Sequence, residues 1–379
     1  MRIHIISKYT KNILTIFSVF LIFIMLFFSR HISHNIQENI QLFLYKLLPA
    51  VFPYILLTNI LINTNLAQNL SFGIAKILSK IFKIPLSSTS TVVIGFLLGY
   101  PNSAKFISKL YSEHKITKHD CEVLLAFTSN ANPSYIISTI GLAFYSNISI
   151  GLILAISHFL SAFILGILLS LRNRYIILQN STNLYSNFKK TSHSAFNIIT
   201  ESMLQTLKTL GLMFCFMTIF SLFSQAICSF LKLSETNSSI VTSVVEITNG
   251  LYNLSCSSLT LEKKILLSSF ALSFGSLMIL YQIFSYVINC KLSFWIFLKH
   301  KLIHGILSLF LTYILLKVIP IKEISYEVFS NISTNTLQVH FPELVYIFSI
   351  ILILIYLLFK QKKKRLKLLT ASSFKGDNV

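Results

Sequence analysis

Apolar runs of the length needed to cross a lipid bilayer recur from Ile13 to Phe359, and several are interrupted by glycine, proline or amide residues. A hydrocarbon core takes about 20 mostly apolar residues per helical crossing. Lipid offers no partner to a free N–H or C=O, so the crossing segments must be helices, and any break in them must be satisfied by protein, water or ligand. The runs predict spans at 13–29, 42–62, 122–144, 150–171, 203–231, 265–288, 302–319 and 344–359. Two further stretches, 89–104 and 240–256, are apolar but short; Gly95, Gly99 and Pro101 punctuate the first, and Glu246, Asn249 and Gly250 the second. Charged residues are 12% of the chain, against about 25% in a soluble domain, which excludes a water-soluble fold.

The net charge of +20 sits in short segments between apolar runs and at the two ends. That is the pattern of cytoplasmic loops under the positive-inside rule, and no folded basic domain remains that would bind nucleic acid. The arm with Arg2, Lys8 and Lys11 and the tail with Lys360, Lys362, Lys363, Lys364, Arg365 and Lys367 are both expected in the cytoplasm, which requires an even number of crossings. Basic segments flank the stretch 89–104 on both sides (Lys76, Lys80 and Lys83; Lys105, Lys109, Lys115 and Lys118), so it is expected to re-enter rather than cross. Treating 240–256 likewise puts 172–193 and 289–301 (Lys291, Lys299, Lys301) inside and 320–343 (Glu323, Glu327, Glu343) outside; Lys263 and Lys264 fall outside, against the trend. The expected fold is an all-α polytopic membrane protein of about eight transmembrane helices plus two re-entrant segments. Its partner is the lipid bilayer of the cell membrane, with a homo-oligomer open. Residues 13–29 lack a small-x-small cleavage site before Arg30 and are expected to remain as an anchor, and 72–84 is expected to be a connecting helix. Cys121, Cys215, Cys228, Cys256 and Cys290 have no CxxC or His pairing and read as small buried hydrophobes, with no disulfide, metal or cofactor expected.

The two halves share an order of features. Phe82-Lys83-Ile84 precedes the first short stretch and Leu231-Lys232-Leu233 the second. Leu124 to Phe127 opens a span broken at Asn130-Ala131-Asn132-Pro133, and Leu267 to Phe270 opens one broken at Ser273-Phe274-Gly275-Ser276. A later span carries His158 in one half and His304 in the other. On the sidedness above the two units enter the membrane from opposite faces, an inverted pseudo-repeat of the kind that secondary transporters build around a midplane site. The expected divisions are an anchor and connector at 1–41, the first repeat at 42–171, a cytoplasmic linker at 172–193, the second repeat at 194–319, and a last span with a basic tail at 320–379.

Broken helices direct attention to the polar residues in them. Pro133 removes an N–H and frees a carbonyl one turn earlier, while Asn130 and Asn132 can donate to and accept from a polar ligand. Gly99 to Lys105 reads as a tight tip in which Asn102 and Lys105 supply polar groups. Glu246 is an acid inside an apolar stretch, a costly position that is a site by default; cation or proton coupling, or pairing with Lys105, are its candidate roles, with Asn249 beside it. Gln282 follows the Gly275 break. The expected substrate-binding set is therefore Asn102, Lys105, Asn130, Asn132, Glu246, Asn249 and Gln282. His158 and His304 invite a proton or metal role but are expected to pack at helix ends. Pro49 and Pro53 are expected to kink span 42–62. No nucleophile with its base and no phosphate loop is present, so an enzyme is not expected.

These residues, in this order, resemble the YlbJ family of sporulation integral membrane proteins in the nucleoside-recognition or Gate-domain superfamily. The resemblance runs from about Leu48 to Leu315. It is carried by Gly99 to Lys105 (the family's Gly-Tyr-Pro tip), Phe127 to Pro133, Glu246 to Gly250 (Glu-x-Thr-Asn-Gly), Gly275 to Gln282 (Gly-Gly-Leu and a later Gln) and Leu302 to Gly305 (Leu-x-His-Gly). Ser103 and Ser276 stand where the family has glycine, Asn132 where glycine is common, and Leu280 where a polar residue is usual. The resemblance implies a membrane protein of spore formers needed for the spore cortex, with relatives among nucleoside and iron transport domains. The expected function is movement of a small polar solute across the membrane, with a structural or assembly role in the spore envelope as the alternative.

Overall fold

The computed structural model describes residue 19 and residues 29–64, 66–172 and 195–319. The expected spans at 13–29 and 344–359 lie almost wholly outside them. The described residues form helices and no strand. Five of these helices are long and apolar enough to cross a membrane: Ser33–Asn63, Ile148–Leu171, Ala195–Phe230, Leu261–Tyr286 and Phe294–Val318. A sixth such element is a pair, Gly73–Phe82 and Leu86–Leu97, bent by 111° at its break. The chain is a multi-pass membrane protein.

In chain order, α1 (Ser29–Gln41) runs through a π-helical turn (Leu42–Leu47) into α2 (Leu48–Asn63). Pro49 has no N–H for the carbonyl one turn back, and just ahead of it Leu48 bonds Phe43, five residues earlier, which is π spacing. Helix α3 (Leu66–Phe82) bends into α4 (Thr89–Leu97), and α5 (Asn102–Ser112) follows a tip at Gly99. A capping box opens α6 (Lys118–Thr128): Asp120 N–H donates to Thr117 Oγ1 at 3.1 Å, and Thr117 N–H donates back to Asp120 Oδ2 at 2.8 Å. The span expected at 122–144 is broken at the residues expected to break it: α6 ends before Pro133, and a separate π-helical segment, Tyr135–Phe144, begins after it.

Helix α7 (Ile148–Arg172) is continuous, as is α8 (Ala195–Phe230). Helices α9 (Glu235–Val245) and α10 (Ile247–Cys256) fold back on each other at Glu246. A Cβ on Gly250 would lie 2.1 Å from Ser243 Cα, so this hairpin closes only because residue 250 has no side chain. Helix α11 (Leu261–Phe274) breaks at Gly275 into α12 (Ser276–Tyr286), and α13 (Phe294–Val318) completes the described chain.

Polar side chains register the long helices against one another, as small and hydroxyl residues do between membrane helices. Along the pair of α1–α2 with α8, Ser221 bonds Asn35 at one end, and Asn59 bonds Thr206 and Asn63 bonds Ser202 toward the other, so the two run antiparallel. Helix α13 runs antiparallel to α11, from the Lys317–Glu262 ion pair to Ser308 and Thr312 on Ser269, and Thr312 also donates to Ser157 on α7.

Candidate functional site

The two broken segments of the first half meet. Tyr100 N–H donates to the Asn130 carbonyl at 2.8 Å, and a Cβ on Gly99 would fall 2.8 Å from Asn132 N, so the tip after α4 rests on the break after α6 at backbone distance. The Tyr54 hydroxyl donates to the Leu97 carbonyl, one of those left over where α4 stops. At the break itself, Asn132 Oδ1 accepts from Tyr135 N–H at 2.7 Å and caps the π-helical segment, and Asn130 Nδ2 donates to the Phe127 carbonyl at 2.9 Å. Ser103 Oγ, Ser129 Oγ and Asn130 Oδ1 are buried there without a hydrogen-bond partner.

Of the other expected site residues, Glu246 is fully buried and is answered by its own hairpin. It accepts from Thr248 N–H at 2.8 Å and from Asn249 N–H and Nδ2 at 2.7 and 2.9 Å. The carboxylate thus caps α10, where free N–H groups and the helix dipole favour negative charge. Lys105 does not pair with it: Lys105 is exposed, its ammonium 5.0 Å from the centre of the Tyr286 ring. Asn102 opens α5, half-buried, and Gln282 is buried on α12. Four of the seven expected residues therefore fall into an Asn130–Asn132 group and a Glu246–Asn249 group, with the Tyr135 hydroxyl 3.5 Å from Thr248 between them, while Asn102, Lys105 and Gln282 join neither.

A cavity of about 740 Å³ adjoins the second group. Asn249 and Asn253 of α10 line it together with Asn35 and Asn39 of α1, Ser224 of α8 and Thr242 of α9, and the π-helical turn contributes Tyr45 and Lys46. Departures from α-helical spacing often mark functional sites.

A further polar cluster in the core, centred on Lys301, joins these breaks. Loop charge places Lys301 in the cytoplasm, but α13 starts at Phe294 and carries it inside, 1% exposed. Its stem passes Gly275, whose added Cβ would lie 3.6 Å from Lys301 Cε, and its ammonium donates to the Ser129 carbonyl at 2.9 Å. One side chain thus touches both the α11–α12 break and the break after α6. Lys301 Nζ is also 3.1 Å from His304 Nδ1, and His304 Nε2 is 3.1 Å from the His158 carbonyl. His158 in turn accepts from Ala131 N–H at 3.1 Å and lies 2.8 Å from Ser273 Oγ. The histidines are not at helix ends: each lies near the middle of a 25-residue helix, and both are fully buried. A usable signal existed, since the i, i+3 spacing of Lys301 and His304 puts both on one helix face, but starting the span at 302 hid it. The reading of all cysteines as buried is also corrected, because Cys215 and Cys256 are exposed.

No family model matches the chain, and no solved structure matches it. Among curated proteins it is similar to the sporulation integral membrane protein YlbJ of Bacillus subtilis (strain 168), 22% identical over 257 residues. The match covers 60% of this chain and 63% of that protein, so the chain spans less than two thirds of its relative's length.

Proposed function

We propose that this chain is a sporulation membrane protein, required for the spore cortex, that moves a small polar solute across the membrane by alternating access between two inverted halves. The cavity beside Asn249 carries this reading. Its volume of about 740 Å³ is that of a small-molecule site, and amides, hydroxyls and the charged Glu38, Lys46 and Lys232 line it together. The buried, unpartnered oxygens of Ser103, Ser129 and Asn130 add acceptors at the junction of two breaks, the kind of place where unwound backbone binds solutes in transporters. The two halves are consistent with a repeat: α6, its break and α7 with His158 correspond to α11, its break and α13 with His304. The spore role is supported by the name of the similar protein and by the ordered motifs.

The test is a spore-forming host that makes only an Asn249→Leu or Asn39→Leu variant, each shown to insert at the normal level. Loss of heat-resistant spores in both, with loss of uptake in proteoliposomes offered nucleosides and cortex precursors, is expected. Normal spores from both variants would remove the cavity from the function, and absent flux with a cortex defect would favour an assembly role in the spore envelope.

A further inference from the structure

We propose that Lys301 and His304, with His158 behind them, form a buried binding site whose ligand is a single exchangeable proton. Lys301 is 1% exposed, and Ala131, His158, Ser273 and His304 are fully buried. The groups contact one another at hydrogen-bond distance throughout, which leaves no volume for a solute; a proton needs none.

The nearest hydrogen-bond partners select one tautomer for each imidazole. A carbonyl only accepts, so His304 Nε2, 3.1 Å from the His158 carbonyl, carries a hydrogen. With Nε2 protonated, a neutral His304 has its lone pair on Nδ1, facing Lys301 Nζ at 3.1 Å. Likewise His158 Nε2 accepts from Ala131 N–H, so a neutral His158 has its hydrogen on Nδ1 and donates to Ser273 Oγ. Both imidazoles are satisfied without charge. Lys301 then faces two acceptors, the Ser129 carbonyl and His304 Nδ1.

A neutral amine has two N–H groups for those two acceptors; an ammonium has a third. Removing one proton from Nζ therefore orphans neither acceptor, and the two protonation states differ in charge rather than in bonding. Within the protonated state, the Nζ–H bond can break as an Nδ1–H bond forms, leaving a neutral amine and a His304 imidazolium that still donates from Nε2. One charge is shared between the two groups. The titratable groups facing Lys301 are His304 on its own helix and His158 on α7, while α11 and the α6 break face it with hydroxyl, carbonyl and N–H groups. Among the described residues no carboxylate lies within 4.0 Å of Lys301. The cation is therefore held by hydrogen bonds alone, and these can be made in either protonation state. Because this side chain joins the two breaks, its charge bears on how they sit together. If the transport reading above holds, on which this step alone rests, the coupling ion is a proton.

The experiment is solid-state NMR of the full chain in lipid, labelled with 15N at lysine Nζ, between about pH 5 and 9. The expected result is one lysine signal, absent in Lys301→Met and in Lys301→Arg, that moves from ammonium to amine within that range. Its midpoint should shift by about one pH unit, tenfold in proton affinity, in His304→Gln. A Lys301 signal that stays ammonium to pH 9, or one that titrates identically in His304→Gln, would overturn the proposal. Neither readout requires a solute, so failure of transport and failure of the proton site are separate results.

Discussion

Two buried ionisable side chains, Glu246 at a helix break and Lys301 on a continuous helix beside two others, are bound in opposite ways. Glu246 is held within its own hairpin, by three N–H groups from residues two and three positions along the chain. Lys301 is held on the Ser129 carbonyl of the α6 break, 172 residues away, and on His304 one turn along its own helix. The first arrangement makes a charge part of local structure. The second makes a charge a joint between two pieces of the fold. An intramembrane charge marks a site by default, yet the difference shows that the partners, rather than the charge, decide what such a residue does.

The largest expected effect tests whether the Glu246 hairpin is as rigid as its contacts imply. In Gly250→Ala the new Cβ would meet Ser243 Cα at 2.1 Å and Ser243 N at 2.2 Å, both backbone atoms that no side-chain rotation relieves. The loss should be at least about 3 kcal/mol, read as collapse of folded yield in detergent. Wild-type yield and thermal stability would mean that α9 and α10 do not cross where the geometry puts them.

The comparison then sharpens to a pair of variants. Glu246→Gln keeps one acceptor oxygen and turns the other into a donor aimed at N–H groups, so it should cost about 1–2 kcal/mol in thermal unfolding. Lys301→Met should cost less than that. It leaves two acceptors without a donor, but it also removes a buried charge that has no counter-ion. If Lys301→Met proved the more destabilising, the lysine would be the structural member of the pair.

What sequence reveals of these regions follows from how local each is. The Glu246-x-Thr248-Asn249-Gly250 run announces itself because its acid, its capping N–H groups and its glycine are neighbours along the chain. The breaks at Asn130 to Pro133 and at Gly275 announce themselves for the same reason, through residues that cannot continue a helix. Lys301 does not, because the Ser129 carbonyl that it joins to its own helix is 172 residues away, and a lysine at the edge of an apolar run reads as a loop charge. The cavity was equally invisible: its walls come from α1, α8, α9 and α10, and only their packing brings those polar faces together. The 111° bend between α3 and α4 is hidden for a related reason, since a connecting helix reads the same whatever angle it makes with the next one.

The smallest effect concerns the second break, which Lys301 passes. Gly275 and Ser276 are consecutive left-handed residues, with φ of 90° and 48°. Glycine adopts that region freely, but serine brings its Cβ toward the following carbonyl. The Ser276 Oγ lies 3.4 Å from Ile279 N–H, a long bond that returns little. Ser276→Gly should therefore stabilise the chain by about 0.5–1 kcal/mol, because the strain relieved exceeds both the lost contact and the added freedom of the unfolded chain. The check is thermal unfolding in detergent beside the Lys301 titration. A stabilised variant with an unchanged Lys301 midpoint would place the break's strain outside the proton site, and a destabilised one would make Ser276 Oγ a working cap of α12.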